Sequence, residues 1–126
     1  MPARNGAAPC GRHAGILLHP SSLPGPHGAG DLGADARAFI DWLAAGRQTV
    51  WQMLPLGGLG PGNSPYMSPS AFAGNELLIA LEPLHAAGWL AAEELVPAPA
   101  FDDDRADYAA LRPWRTDPGS LTARIR

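Results

Sequence analysis

The sequence predicts an α/β fold with parallel β-strands, and three features support that prediction. The segment AGILLHP at 14–20 is a short apolar run that suits a strand buried on both faces. A helical pattern follows at 34–46, and a second apolar segment, TVWQMLPL at 49–56, is rich in β-branched and aromatic residues. Strand, helix and strand in this order form a βαβ unit, whose strands are parallel and whose crossover is right-handed in nearly all known cases.

The boundaries of these elements are marked by breakers and caps. The first strand ends at His19, and the glycine- and proline-rich segment SSLPGPHGAGDLG that follows it is typical of a loop. Asp31 or Asp35 can serve the first turn of the helix, and Gly46 stands where a glycine commonly ends one. Apolar residues recur at helical spacing between these points, at Ala36, Phe39, Ile40, Leu43 and Ala44.

The sequence pattern of the rest of the chain identifies its secondary structure less clearly. ELLIALEPL at 76–84 is compatible with a strand or with a helix start, and LHAAGWLAAEEL is helical in part. We therefore expect a flexible tail at 1–13, βα units at 14–96 and an irregular segment at 97–126, which shows no clear period.

Composition restricts the possible partners. Hydrophobic residues make up 46% and charged residues 17% of the 126 residues, which is typical of a folded chain rather than a disordered one. A net charge of -3 supplies no basic field for a phosphate backbone, so we expect no nucleic acid partner. The single cysteine, Cys10, cannot form an internal disulfide, which favours the cytoplasm. No segment approaches the ~18 apolar residues of a membrane span, so no membrane partner is expected.

The loop LGGLGPGNSPYMSPSAFAGN at 56–75 is the main candidate for a ligand site. It follows the second strand, and loops at the carboxyl ends of parallel strands are where such folds bind ligands. Its hydroxyls, amides and aromatic ring suit a neutral polyhydroxylated ligand such as a sugar. The side chains expected on one common face are Ser64, Tyr66, Asn63, Asn75, His19, Ser21 and Asp31.

Several of these residues have a purely structural alternative. Tyr66 would pack the small core of its own loop, Asn75 would cap a helix or stabilise a turn, and His19 would bind a neighbouring loop. Ser64 is not predicted to be a nucleophile, because GNSPY is not GxSxG and Pro65 lacks the backbone N–H that an oxyanion hole needs. The histidines have no metal-ligand spacing and no GK[ST] phosphate loop occurs, so neither a metal nor a cofactor is predicted.

Two segments together resemble a known family. GILLHPSSLPGPHGAGDLG and WQMLPLGGLGPGNSPYMSPSAFAGNELLIALEPL are similar to the N-terminal part of bacterial 4-α-glucanotransferases, the amylomaltases or disproportionating enzymes of glycoside hydrolase family 77. The similarity covers residues 12 to about 96, with a weaker echo in DRADY and LRPW. It implies the N-terminal portion of a (β/α)8 TIM-type barrel, incomplete here, with 56–75 as a loop on the substrate side. The implied reaction transfers α-1,4-glucan segments between maltodextrins through a covalent glycosyl intermediate, with retention.

The resemblance also implies roles for individual residues. Tyr66 matches a family tyrosine near the sugar at the cleavage point, and Ser64 matches a serine that hydrogen-bonds a neighbouring sugar. Both are therefore predicted to bind α-1,4-glucans and maltooligosaccharides. His19, Asp31 and Asn75 also match motif positions, and loop-shaping roles are expected for them.

Two departures from the family limit these expectations. Several members have an aromatic residue at the position of Pro61, where it makes a secondary glucan contact, so that contact is not expected here. The family's catalytic carboxylates lie far downstream of SAFAGN, and nothing in 76–126 resembles their motifs, so no catalytic residue is predicted. We expect a fragment of the enzyme that is inactive alone. The alternative is a non-catalytic glucan-binding module that uses Tyr66 and Ser64.

Overall fold

Two short parallel strands and the helix between them organise the first half of the structure, a computed structural model that describes residues 11–95, 101–102 and 105–116. Strand β1 (Gly15–Leu17) pairs in parallel with β2 (Val50–Gln52), and helix α1 (Ala34–Ala45) connects them. The predicted βαβ unit and the α/β class are confirmed.

Only one face of this sheet is covered. Phe39 of α1 packs edge-on against Trp51, with 5.0 Å between the ring centroids, and the Trp51 indole N–H donates to the Leu18 carbonyl at 2.7 Å. Side chains alternate across a strand, so Leu17 and Val50 point to the opposite face, where they are 58% and 41% exposed. The described residues therefore bury the two strands on one face only, and burial on both faces stays a prediction.

Helix α1 ends through backbone hydrogen bonds just beyond its last turn. The Arg47 N–H donates to the Ala44 carbonyl at 3.0 Å, and the Gln48 N–H donates to the Leu43 carbonyl at 2.8 Å. This pair of bonds is the Schellman arrangement, which requires a left-handed residue at its centre. That residue is Arg47, with φ 55, whereas Gly46 has φ -79. The predicted helix end is confirmed, but the left-handed position is one residue later than the glycine.

The described residues of the second half form short turns and two helices. A 3₁₀ turn at Glu76–Leu78 leads to α2 (Glu82–Ala86), so no part of 76–84 is a strand. Another 3₁₀ turn lies at Ala92–Leu95. Helix α3 (Tyr108–Thr116) lies in the segment expected to be irregular, and Pro113 inside it obscures the helical pattern in the sequence. Residues 1–10 of the predicted tail lie outside the described residues.

The hydrophobic core lies between the loops and α3. Leu59, Leu77 and Leu111 form one buried cluster, and Trp114 packs against both this cluster and a second one. Further side chains at the first cluster are Ala29, Phe101 and Tyr108. The second cluster contains Leu81 and Leu90. The core therefore joins the 56–75 loop and the turn that follows it to α3.

Replacing Arg47 by glycine is expected to stabilise the fold by about 0.5–1 kcal/mol, because glycine adopts the left-handed conformation without strain. The same change at Arg37, inside α1, is the matched control and is expected to destabilise by about 1 kcal/mol. Urea unfolding of the two variants measures both effects. Destabilisation by Arg47→Gly would contradict this account of the helix end.

Candidate functional site

The 56–75 loop is a closed, hydrogen-bonded structure. At its base Gly57 and Gly74 form an antiparallel bridge, and the Asn75 N–H donates to the Leu56 carbonyl at 3.1 Å. Inside it, the Gly60 N–H donates to the Ser64 carbonyl at 3.0 Å. A Cβ at Gly60 would lie 1.9 Å from a backbone oxygen of the loop, so only glycine fits there. These contacts identify a compact loop rather than a linker.

Ser64 and Tyr66 lie together on a 3₁₀ turn of this loop. The turn spans Pro65–Met67, and the Ser64 Oγ caps it by accepting the Tyr66 N–H at 3.3 Å. The Tyr66 side chain is 72% exposed, so the alternative in which it packs the core of its own loop is wrong. The loop therefore presents an aromatic ring and a half-buried hydroxyl side by side at the surface.

Two roles were considered for Asn75, ligand contact and capping, and the structure shows the capping role. Its side chain is 8% exposed, and its Oδ1 accepts the Leu77 N–H at 3.1 Å, which caps the 3₁₀ turn Glu76–Leu78. The expectation that Asn75 projects on a common ligand face is wrong, because the side chain is buried and points into the chain's own backbone.

His19 connects the end of β1 to α3. Its ring is 8% exposed, and its Nδ1 accepts the Ser21 N–H at 3.3 Å, with Ser21 Oγ at 2.8 Å. A backbone N–H can only donate, so Nδ1 is the acceptor and the neutral ring carries its hydrogen on Nε2. The Tyr108 hydroxyl donates to the same Ser21 Oγ at 2.9 Å. Burial lowers the pKa of His19, and the Pro55 carbonyl offsets part of that effect.

Asp31 shapes the approach to α1 and lies near a charged cluster. Its Oδ1 accepts the Gly33 N–H at 2.8 Å. Burial raises the pKa of Asp31, the bond to Gly33 opposes that rise, and the negative charge of Glu82 adds to it. Arg115 and His27 act in the opposite direction, and His27 Nε2 lies 2.9 Å from Glu82 Oε1. Within the described ranges, no three acidic, histidine or cysteine side chains are placed to hold a metal ion.

Two neighbouring clefts lie at the start of α3, the first beside the loop after β1 and the second beside the 56–75 loop. Their volumes are about 490 and 510 Å³; Ser21 lines the first and Asn63 the second. They share Asp102, Arg105, Ala106 and Tyr108. Ser64 and Tyr66 line neither cleft, so the structure separates the predicted sugar contacts from these cavities.

Three residues of α3 are part of this arrangement although no role was predicted for them. Tyr108 bonds Ser21, Arg112 Nη2 donates to the Leu59 carbonyl at 3.2 Å, and Arg115 is 1% exposed. Tyr108 and Arg112 lie in the DRADY and LRPW segments, whose weak family similarity did not indicate these contacts, and Arg115 lies just after LRPW. No helix in the described part of the chain is long and apolar enough to cross a membrane.

Comparison with known proteins gives a consistent result. A sequence profile described as 4-alpha-glucanotransferase matches residues 18–121. The 4-alpha-glucanotransferase of Thermus thermophilus is 49% identical over 104 residues, which cover 82% of this chain and 20% of that protein. The one from Synechocystis sp. is 54% identical over 97 residues, covering 77% of this chain and 19% of its own length.

A solved structure supports the same grouping. The amylomaltase from Streptococcus agalactiae in complex with acarbose superposes with a TM-score of 0.75 at 40% sequence identity, covering 80% of this chain and 21% of that one. The chain thus spans about a fifth of the length of the relatives that it matches.

Asn75→Ala is expected to destabilise the fold by about 1–2 kcal/mol, because it removes the cap and leaves the buried Leu77 N–H without an acceptor. Asn75→Ser is the matched control, since serine retains an oxygen for the cap and should lose less. Urea denaturation of both variants tests this, and equal stability of Asn75→Ala and the unmodified chain would refute the capping role.

Acidification is expected to weaken the fold through His19. Because its pKa in the folded chain lies below 6.5, the unfolded chain takes up a proton first. Stability should therefore fall as pH drops below 6.5, until the folded pKa is reached. Urea unfolding from about pH 7.5 to 5 should show a shallower pH dependence for His19→Asn, which keeps an acceptor for Ser21, than for the unmodified chain. His13→Gln, at an exposed histidine, serves as control; an unchanged slope in His19→Asn would argue against the prediction.

Proposed function

The chain belongs to the 4-alpha-glucanotransferase family, glycoside hydrolase family 77, and on that premise we propose that it provides one wall of the glucan site of such an enzyme. The enzyme would transfer α-1,4-glucan segments between maltodextrins. The observation that carries the proposal is the exposed Tyr66 on a closed loop that follows the parallel strand pair.

We further propose that β1 and β2 are the first two strands of a (β/α)8 barrel. Parallel sheets are normally covered on both faces, yet Leu17 and Val50 are exposed opposite α1. In a barrel this face would point to the interior, which layers of side chains from all eight strands fill. The open apolar face and the share of the relatives' length that the chain spans support this assignment.

Ser64 and Tyr66 would hold sugar by complementary contacts. A tyrosine ring offers a flat apolar surface to the C–H groups of a pyranose, and its hydroxyl adds a directional hydrogen bond. The Ser64 Oγ already accepts the Tyr66 N–H, which fixes the oxygen and leaves the hydroxyl hydrogen to donate to a sugar oxygen. The pair is therefore suited to orienting a glucan.

This chain would contribute to the reaction by positioning the glucan. In the proposed retaining mechanism a carboxylate attacks the anomeric carbon, the bond to the glycosidic O4 breaks, and an acid protonates that oxygen to give a free 4-hydroxyl. The same group, now a base, then takes the proton of a second glucan's 4-hydroxyl as its oxygen displaces the carboxylate. Residues 76–126 match none of the family's carboxylate motifs. The lone Cys10 is consistent with a cytoplasmic location for the enzyme.

A second candidate is a non-catalytic glucan-binding module. The ordered loop and the exposed Tyr66 favour it, because an aromatic ring held at the surface can bind a sugar without taking part in a reaction. The two functions differ in their outcome: a module binds maltooligosaccharides without supporting transfer, whereas a barrel segment supports transfer when joined to the remaining strands.

A chimera tests the leading proposal. Residues 18–121 replace the matching segment of the Thermus thermophilus relative, and glucose release from maltotriose measures transfer. We expect an active chimera in which Tyr66→Ala lowers kcat/KM about 10- to 100-fold, which corresponds to about 1.5–3 kcal/mol for one buried aromatic contact. Trp89→Ala, which removes another exposed aromatic, is the control and should change little. A folded but inactive chimera, or one that is insensitive to Tyr66→Ala, would contradict the proposal.

A further inference from the structure

Helix α3 contacts both ends of the 56–75 loop. The entry limb (residues 56–60) receives a hydrogen bond from Arg112, whose Nη2 lies 3.2 Å from the Leu59 carbonyl. The exit limb (residues 74–79) is bound by Arg115, whose Nη2 shares its two hydrogens among the carbonyls of Glu76, Leu77 and Ile79 at 3.2, 3.4 and 2.6 Å. Two arginines separated by less than one helical turn therefore hold two chain segments that are distant in sequence.

The apolar contacts of α3 have the same arrangement. Leu111 is 2% exposed and packs against Leu59 of the entry limb and Leu77 of the exit limb, which are 8% and 6% exposed. One leucine of the helix thus fills the space between the two limbs. The polar and apolar contacts act together, since each arginine bonds a backbone group close to one of these leucines.

The burial of Arg115 is compensated by its surroundings. Burial lowers the pKa of its guanidinium, and the negative charges of Asp31, Glu82 and Glu76 oppose that effect. A buried guanidinium is costly unless its donors find acceptors, and the backbone oxygens of the exit limb accept from its Nη2. These oxygens belong to the 3₁₀ turn that Asn75 caps and to Ile79, the residue that follows it, and carbonyls at the end of a turn commonly need partners from outside the turn.

We propose that α3 is a clamp that sets the position of Ser64 and Tyr66, with Arg112 and Arg115 as positioning residues. Between the limbs the loop is mostly exposed, and its base is held by the Gly57 and Gly74 bridge. The direction in which the loop presents its sugar-facing turn therefore depends on how the limbs are fixed. That the turn carrying Ser64 and Tyr66 binds glucan rests on the proposed function. The clamp itself rests on the hydrogen bonds and packing of α3.

Amide hydrogen exchange of the 126-residue chain tests the clamp without glucan. Arg112→Ala is the main variant because that side chain is largely exposed and its loss should leave the fold intact. We expect the Gly60, Met67 and Asn75 amides to exchange about tenfold faster, since a bond to a charged donor is lost. Amides outside the clamp, at Leu18 and Gln48, should keep their rates.

Controls distinguish a clamp from general loosening. Arg37→Ala removes an exposed arginine from α1 and should alter none of these rates. Arg112→Lys should restore part of the protection, because an ammonium group can still reach one carbonyl. Arg115→Lys keeps the charge but loses the planar donor group, so the Leu78 and Ile79 amides should exchange faster. Unchanged loop rates in Arg112→Ala, or an equal increase at Leu18 and Gln48, would overturn the clamp.

The functional consequence is measured in the chimera. Arg112→Ala should lower kcat/KM for maltotriose about tenfold, Arg112→Lys should recover part of the loss, and Arg37→Ala should have no effect. Faster loop exchange with unchanged kcat/KM would overturn the positioning role. An inactive parent chimera would instead count against the proposed function, and the exchange rates would then decide the clamp on their own.

Discussion

The parallel pairing of β1 with β2 is the constraint on which the rest of the structure depends. Parallel strands bring their carboxyl ends to one edge, so the loop after β1 and the loop after β2 begin side by side. Helix α3 then contacts both: Tyr108 bonds Ser21 in the first, and Arg112 bonds Leu59 in the second. An antiparallel pair would place these loops at opposite edges, and one short helix could not reach both of them.

Four of the five predicted site residues make the same kind of hydrogen bond from side chain to backbone. This shared bond explains how the loops hold their shape. Each of the four accepts the backbone N–H of the residue two positions later, and they are His19, Asp31, Ser64 and Asn75. Side-chain acceptors of this kind replace the hydrogen bonds that a loop lacks. Exposure rather than local bonding therefore distinguishes the candidate ligand residues, because His19 and Asn75 are buried and Tyr66 is exposed.

The predictable part of the fold is the part governed by local pattern. Apolar periodicity located β1, α1 and β2, because strands and helices bury side chains at fixed intervals. Arg47 as the left-handed residue could not be predicted, since a glycine stood one position earlier. Helix α3 was missed because Pro113 disrupts its pattern, and the buried Arg115 was missed because its partners lie more than thirty residues away along the chain. Whether the second face of the sheet is covered depends on what packs against it, and the local sequence pattern does not contain that information.

These contacts explain why the family match extends beyond the recognisable motifs. Recognisable motifs end near residue 96, yet the match continues to 121 and includes α3. Motifs such as SPY and SAFAGN record local requirements of the loop, whereas α3 is held by the long-range contacts of a few side chains, namely Tyr108, Leu111, Arg112, Trp114 and Arg115. Such contacts constrain few positions and leave a weak signal in sequence. If Ser64 and Tyr66 position glucan, the segment that determines their geometry must therefore include α3 as well as the loop that carries them.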